Sequence, residues 1–273
     1  MAPLVPMLLT SARAWPEGGD WVLEPKWDGY RFVAEIRDGR ARCWTRHGTE
    51  VTQRVGEVAR ELVELLPDQS VVDGELVALA PDLHGHPGQD FNRLWGAVFG
   101  RRDDRLSLVL FDAPRLGGEE LGQRPWHERR SALRAAVPMP GAAVSIIDAF
   151  DADPVVHERL LALGFEGSVL KRRDGRYLPG RRSRSWRKHK TRASSAAVVE
   201  VAVADRMSGI VERVGCRATH DPDRLTWAMV WSAAHRARLT RDPRGAIGCD
   251  AILSYTHRTV AGALREARLT GLQ

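Results

Sequence analysis

The chain has 273 residues, with 41 basic and 35 acidic side chains and a formal net charge of +6 at pH 7. Apolar residues make up 43% of it, enough for buried cores, but no stretch approaches the roughly 18 apolar residues of a membrane helix. The first twenty residues lack the basic segment of a signal peptide. Composition therefore excludes a membrane protein and predicts a cytoplasmic monomer with one large and one small domain.

The predicted elements mix strands and helices without a regular βαβ rhythm. Two alternating segments on either side of Asp38-Gly39 predict a β-hairpin, because this dipeptide suits a two-residue turn. Helically spaced apolar residues predict a helix over 52–66, which Pro67 ends. Further strands are predicted over 70–79, 106–113 and 167–173, and further helices over 126–137 and 154–163. This mixture favours the α+β class.

The pattern changes near Thr191, where short β-like runs separated by turn residues begin. They predict a second, mostly β domain from residue 193 to the end. We expect the nine tryptophans of the chain, including Trp227 and Trp231 of this region, to pack in a core or between domains rather than to stack on bases.

Histidines and cysteines give no metal motif. His84 and His86 lie in a glycine-rich loop with no third ligand nearby in the sequence. Cys43, Cys216 and Cys249 are odd in number and share no short spacing, which argues against a disulfide framework or a zinc site.

Positive charge is concentrated between residues 171 and 190, where Asp174 is the only acid. Clustered Lys and Arg bind nucleic-acid backbones by releasing counterions, whereas a solvated basic loop is the alternative. The aromatic residues Tyr177 and Trp186 within the segment favour nucleic-acid binding.

The stretch EPKWDGYR, residues 24–31, places a lysine two positions before an Asp-Gly pair, which is a weak signal by itself. Five further motifs follow it in order: TRHG (45–48), VVDGEL (71–76), LFDA (110–113), GFEGSVLKR (164–172) and SWRKHK (185–190). The ordered set resembles the covalent nucleotidyltransferases, which comprise ATP-dependent DNA ligases, RNA ligases and mRNA capping enzymes. Over residues 5–192 the sequences of these motifs resemble the ligase domain of bacterial end-joining ATP-dependent DNA ligases.

A lysine that attacks the α-phosphate of a nucleotide must be a neutral amine. We therefore expect burial, or cations such as Arg31 and Lys190, to disfavour the charged form of this lysine. Lys188 is a third candidate cation, and together with Trp186 and Lys190 it would share one face of a strand. Cations there would stabilise charge on the phosphates.

The resemblance implies a fold and a set of roles. The fold is α+β, with an ATP-grasp-like adenylation (nucleotidyltransferase) domain of two antiparallel sheets and flanking helices over 1–192, then a short OB-fold-like β-barrel over 193–273. Lys26 is the implied nucleophile that forms lysyl-AMP from ATP, and Asp28 supports it. The residues implied to bind the nucleotide are Glu24, Arg31, Arg46, Glu75, Phe111, Lys188 and Lys190.

Glu75 and Glu166 are implied to contact the ribose or to bind Mg²⁺ or Mn²⁺, since hard cations prefer oxygen ligands. The residues implied to bind DNA are Arg46, Arg181, Arg182 and Arg184. Taken singly, each acid is also explained as a surface residue or salt-bridge partner, and Phe111 as a buried core residue. The implied partners are nicked double-stranded DNA and end-joining proteins.

Three functions remain open. The preferred one is an ATP-dependent DNA ligase in repair or end joining. An RNA ligase or a GTP-using capping-type enzyme is the first alternative, and a weakly active protein that binds nicks or ends is the second. The family motif that follows the last barrel strand, an arginine with an Asp-Lys pair, has no match before Gln273, so slow formation of lysyl-AMP is expected.

Overall fold

The computed structural model describes residues 3–12, 14–16, 18, 20–81, 87–89, 91–100, 105–256, 258 and 264–273. His84 and His86 lie outside the described residues. The chain separates into two compact units, Met1–Lys190 and Thr191–Gln273. In the described part, no helix is both long and apolar enough to cross a bilayer.

The described part of the first unit contains twelve strands and four α-helices. Its strands are β1 (Leu8–Ser11), β2 (Trp21–Pro25), β3 (Tyr30–Arg37), β4 (Arg40–Thr45), β5 (Ser70–Pro81), β6 (Pro87–Gln89), β7 (Leu106–Leu116), β8 (Glu119–Glu120), β9 (Val144–Ile146), β10 (Phe150–Asp151), β11 (Ser168–Arg172) and β12 (Arg182–His189). Its helices are α1 (Gly56–Leu65), α2 (Phe91–Phe99), α3 (Trp126–Ala136) and α4 (Pro154–Ala162).

Two sheets organise the first unit. The first sheet has the order β1-β12-β11-β2-β10, and the second has the order β4-β3-β5-β7-β8, with β6 beside β5 and β9 beside β7. The expectation of two antiparallel sheets is wrong for two pairs, because β1 runs parallel to β12 and β9 runs parallel to β7. Neither pair is closed by a hairpin turn, so the chain does not force an antiparallel arrangement.

The hairpin between β3 and β4 is confirmed. Asp38 and Gly39 both have positive φ, 52° and 67°, as the favoured two-residue hairpin turn requires. The helix expected from Thr52 starts later, because Val55 (φ −128°, ψ 40°) leaves the helical region between a short 3-10 turn and α1. The buried Val55 side chain packs in the core there.

The two sheets divide the core of the first unit into three layers of buried side chains. Apolar residues of α1, α2 and α3 pack on one face of the second sheet. Val77 and Phe111 from the other face of that sheet meet Trp186 from the first sheet. The first sheet is covered on its outer face by α4, whose Leu160 packs against Leu170. The space between the two sheets is where the candidate site lies.

The second unit is a closed five-stranded barrel with one helix. Its elements are β13 (Ala193–Ala204), β14 (Val211–Ala218), β15 (Asp221–Met229), α5 (Ala233–Arg241), β16 (Asp250–Tyr255) and β17 (Arg268–Leu272), and the barrel order is β13-β14-β15-β17-β16. The expectation that Trp227 and Trp231 lie in a core is wrong, since they are 45% and 63% exposed. Trp227 points outward because it lies between Thr226 and Ala228, which are buried.

Candidate active site

Lys26 follows the fully buried strand β2, and the backbone fixes its position on both sides. Its N–H donates to the carbonyl of Gly167 (2.9 Å), and its carbonyl accepts from the N–H of Glu166 (3.1 Å). At Gly167 (φ 147°) a Cβ would lie 2.3 Å from the carbonyl oxygen of His189. At Gly29 a Cβ would lie 2.3 Å from the carbonyl oxygen of Leu76. Gly167 therefore permits its segment to pack closely against the end of β12, and Gly29 permits the lysine motif to pack closely against β5.

The carboxylate of Glu166 binds two lysines. One oxygen accepts from Nζ of Lys26 and the other from Nζ of Lys190. Burial disfavours the Lys26 ammonium, but the carboxylates of Glu166 and Glu75 outweigh burial and raise the pKa of Lys26 above its usual value. The expectation that cations lower this pKa is therefore wrong for the structure without a nucleotide, because Glu166 neutralises Lys190 and stabilises the charged Lys26.

Glu75 lies on β5 opposite Arg31 in the strand register. Burial raises the pKa of Glu75 to about 7, with Lys26 and Arg31 opposing the shift and Glu166 adding to it. Asp28 lies close enough to Lys26 to contribute to the raised pKa of the lysine. Glu75, Glu166 and Asp28 thus surround the Lys26 ammonium with negative charge.

Arg31 is held by a carboxylate that the sequence did not single out. Its Nε and Nη2 donate to the two oxygens of Asp73, both at 2.5 Å, and Asp73 is fully buried. The hydroxyl of Tyr177 also donates to Asp73, and it accepts from the N–H of Met7 (3.2 Å). The spacing of Asp73 and Glu75, two residues apart on one strand, was the sequence signal for carboxylates at this site. That signal did not identify Tyr177 as a partner of Asp73.

Aromatic rings and a second buried lysine form the inner wall. Phe111 is 8% exposed and meets Trp186 edge to face at 6.0 Å between ring centroids. Nζ of Lys171 lies 4.2 Å from the Trp186 ring centroid and 4.7 Å from that of Phe111. The guanidinium of Arg31 lies 4.5 Å from the Phe111 ring centroid, so both cations are in contact with this ring.

Lys171 forms a buried ion pair with Glu24 at 2.7 Å, and sequence analysis did not identify it as a site residue. Burial raises the pKa of Glu24, against the effect of Lys171 and Arg130, and burial lowers the pKa of Lys171. The second carboxylate oxygen of Glu24, Oε1, is buried and accepts no hydrogen bond in the structure. This oxygen faces Nη1 of Arg130 at 3.8 Å, an ion pair that is too long for a hydrogen bond.

These groups enclose a pocket of about 410 Å³ between the two sheets. Its lining includes Glu24, Lys26, Arg31, Glu75, Phe111 and Lys171. Lys188 pairs with Val169, and Val169 pairs with Glu24, so all three side chains lie on the pocket face of the first sheet. The chain has only four lysines, and all four are therefore at this site or on its sheet face.

The arginines implied to bind DNA lie apart from the pocket lining. Arg46 is exposed in the turn after β4, and its N–H donates to the carbonyl of Arg31 (3.0 Å). Arg181, Arg182 and Arg184 are exposed at the start of β12. Arg182 is partly engaged, because its Nη1 donates to the carbonyl of Leu9 (2.6 Å). The structure thus brings together the predicted pocket residues but not the four arginines.

A pocket lined by aromatic rings, cations and a lysine held by carboxylates has the groups needed to bind the base and phosphates of a nucleotide. Comparisons with known proteins agree with this inference. The family model of the ATP-dependent DNA ligase domain matches residues 6–190. The chain belongs to the ATP-dependent DNA ligase family.

Among curated relatives, the multifunctional non-homologous end joining protein LigD of Pseudomonas aeruginosa is 34% identical over 196 residues, which cover 67% of this chain and 22% of LigD. The chain thus spans under a quarter of the length of this relative. The solved ligase domain of LigD from M. tuberculosis has 28% identity and a TM-score of 0.62, covering 99% of this chain and 95% of that domain. A mycobacterial DNA ligase D complexed with ATP and MES has 27% identity, a TM-score of 0.62 and the same coverage.

Proposed function

We propose that the chain is an ATP-dependent DNA ligase that seals nicks in double-stranded DNA through lysyl-AMP on Lys26. The observation that carries this proposal is the position of Lys26 at the pocket, with Nζ held by Glu166 and with Lys190 on the same carboxylate. The amine lies where a nucleotide in the pocket would present its phosphates. The enzyme class follows from the family, and the substrate and the role of Lys26 are our proposals.

The reaction requires that Lys26 lose its proton and its ion pair. Nζ then attacks the α-phosphorus of ATP, a bond from nitrogen to phosphorus forms, and the bond to the β-phosphate breaks to release pyrophosphate. The nucleotide phosphates compete with Glu166 for the Lys190 ammonium, which in this proposal moves from the carboxylate to the phosphates. AMP passes next to the 5′-phosphate at the nick, and attack by the 3′-hydroxyl expels AMP and joins the strand.

Glu75 and Glu166 fit a divalent cation as two of its oxygen ligands. Both lie beside Lys26, and hard cations accept carboxylates together with water and phosphate oxygens. The described residues contain no group of three or more His, Cys, Asp or Glu side chains placed to hold a metal ion. When bound, Mg²⁺ or Mn²⁺ supplies positive charge to the phosphates.

Selection of ATP over GTP rests on Glu24 in this proposal. Its buried Oε1 accepts no hydrogen bond and has only the longer 3.8 Å ion pair with Arg130, and the exocyclic amine of adenine supplies a donor, whereas guanine presents a carbonyl at the same ring position. The ion pair with Lys171 holds the carboxylate in place. This contact favours ATP over the GTP-using alternative, and it leaves the choice between DNA and RNA ends to the nucleic-acid surface.

We propose that the barrel is OB-fold-like and contacts nucleic acid through β14, β15 and β17. Support comes from the closed five-stranded barrel and from its exposed tryptophans, each covered by an arginine. Arg213 lies 5.1 Å from the Trp227 ring centroid, and Arg268 lies 4.3 Å from that of Trp231. Aromatic rings stack on bases, and the cations beside them bind phosphates.

The test is sealing of a nicked duplex that carries a 5′-phosphate, with ATP or GTP and with DNA or RNA strands. We expect product with ATP and nicked DNA, and none from Lys26→Ala. Preference for RNA ends or for GTP would favour the first alternative. Tight binding of the nick without any sealing by the wild type would favour the accessory protein. A role in end joining, as in the name of LigD, is part of the same proposal and is tested with separate duplex ends.

A further inference from the structure

A basic groove lies in the first unit at the ends of β11 and β12, outside the nucleotide pocket. It has a volume of about 1040 Å³. The residues that characterise it are Arg172, Arg176, Ser183, Arg184, Ser185 and Arg187. None of these six lines the nucleotide pocket.

The strand register places this groove on the opposite face of the first sheet. Lys171 and Trp186 are cross-strand partners, and both line the nucleotide pocket. Their neighbours Arg172 and Arg187 therefore point to the other face, since side chains alternate along a strand. The guanidinium of Arg187 confirms this direction, because it lies 4.6 Å from the ring centroid of Trp21, which packs in the outer cluster.

The groove has more positive charge than its own acid neutralises. Asp174 is the one carboxylate among its lining residues, and it is bound by Arg172 through two hydrogen bonds of 2.8 and 2.5 Å. Arg176, Arg184 and Arg187 remain as three cations in the lining. A nearby arginine outside the groove differs, because Arg173 is paired with two acids.

Hydroxyl groups add neutral donors to these cations. Oγ of Ser183 and Oγ of Ser185 lie 2.8 Å apart, and both serines line the groove. Gly175 allows the turn to approach β12, since a Cβ there would lie 3.1 Å from the Cβ of Ser185. Guanidinium and hydroxyl groups are the side chains that contact nucleic-acid phosphates without reading sequence.

We propose that this outer groove binds the phosphate backbone of a second duplex segment, distinct from the one that holds the nick. The inference rests on the proposed function, because it takes the reacting nick to lie at the pocket side of the sheet. A phosphate backbone suits the groove better than an acidic peptide, since Leu178 is the only apolar side chain in its lining. One protein thereby holds two DNA segments on opposite faces of one sheet.

The test is capture of a labelled, unnicked duplex by protein already saturated with a short nicked duplex. Arg176→Glu is the test variant, because Arg176 is exposed and lies in the groove. Arg60→Glu is the matched control, because Arg60 is 74% exposed on α1 and its substitution changes the charge by the same amount. We expect wild type and Arg60→Glu to capture the second duplex, and Arg176→Glu to bind it about tenfold more weakly, with a salt dependence reduced by roughly one to two counterions.

Equal capture by Arg176→Glu and Arg60→Glu would overturn the proposal, and so would failure of the wild type to capture a second duplex. Gain of AMP and binding of the first nicked duplex are measured on the same samples. If these fail in the wild type, the proposed function fails. If they succeed while the second duplex is not captured, only the outer groove is refuted. If Arg176→Glu keeps its binding to the second duplex but loses binding to an acidic polypeptide, the groove binds a protein partner. That result would also refute the proposal.

Discussion

The ammonium of Lys26 donates to a carboxylate oxygen of Glu166, and the ammonium of Lys190 donates to the other oxygen of the same group. Without a nucleotide, the proposed nucleophile is thus charged and held in place. The ion pair keeps Nζ at the pocket. In the proposed reaction Lys26 must leave this ion pair before it attacks, so we propose that Glu166 sets the reactivity of the amine.

The first prediction concerns the pKa of Lys26. Because Glu166 raises this pKa, Glu166→Gln should lower it and enlarge the neutral fraction at pH 8. The measurement is the pH dependence of acetylation of Lys26 without nucleotide, followed by peptide mass spectrometry. We expect the midpoint to move to lower pH. Glu64→Gln, an exposed acid on α1, serves as the control, and an unchanged midpoint in Glu166→Gln would contradict the assignment.

The second prediction concerns stability and Glu75. The folded state raises the pKa of Glu75 from 4.5 to about 7, so the folded protein binds this proton more tightly than the unfolded chain. Ionisation of Glu75 therefore costs stability as pH rises through this window, and the cost is complete above about pH 7. Glu75→Gln should be more stable than wild type at pH 8.5, by up to about 3 kcal/mol, and the gain should disappear near pH 4.5.

Chemical denaturation at both pH values measures this difference without nucleotide or metal. Glu64→Gln is again a matched control, because its carboxylate is exposed. A stability gain for Glu75→Gln that does not change with pH would show that the carboxylate is not the cause.

The third prediction concerns the base. If Oε1 of Glu24 accepts from the amine of adenine, a nucleotide with a carbonyl at that ring position leaves the oxygen unpaired. We expect ITP to form a covalent adduct with kcat/KM lower than that of ATP by on the order of 10- to 100-fold. Equal rates with ATP and ITP would remove Glu24 as the selecting residue. The comparison uses wild-type protein, so misfolding does not affect it.

The fourth prediction compares two arginine–aspartate pairs. Arg31 binds fully buried Asp73, whereas Arg172 binds exposed Asp174, each through two hydrogen bonds. Removing one partner of a buried pair leaves an uncompensated charge, so Asp73→Asn should cost about 3 kcal/mol. Asp174→Asn should cost less than about 1 kcal/mol, because water screens the exposed pair. Urea unfolding of both variants gives the comparison, and equal losses would contradict it.

The hairpin was predictable from local residues, because Asp38-Gly39 itself suits the turn. Lys26 and Glu75 were predicted from the resemblance of the ordered motifs to a known family, since the lysine motif alone is a weak signal, and both line the pocket. The Lys171–Glu24 pair was not predictable in this way, since its members come from β11 and β2, which are adjacent only in the folded sheet. The same reason explains Tyr177, which reaches Asp73 across 104 residues of sequence.

The fold was predictable in its class and less so in its connections. The parallel pairing of β1 with β12 joins segments more than 170 residues apart, and no turn motif in the sequence predicts this pairing. Helix α5 was missed because its segment is rich in arginine and carries one buried apolar residue, Leu239, so the helical spacing is weak. Its N-cap is visible only in three dimensions, where Oγ of Ser232 accepts from the N–H of His235 at 3.3 Å.

The most direct test of the central claim is the intact mass of the purified protein after incubation with ATP and Mg²⁺. The controls are Lys26→Ala and Lys26→Arg, with folding checked by circular dichroism. We expect the wild type to gain the mass of one AMP and both variants to gain none. A gain of AMP by either variant would show that another group is the nucleophile, and a folded wild type that gains none would contradict the proposed role of Lys26.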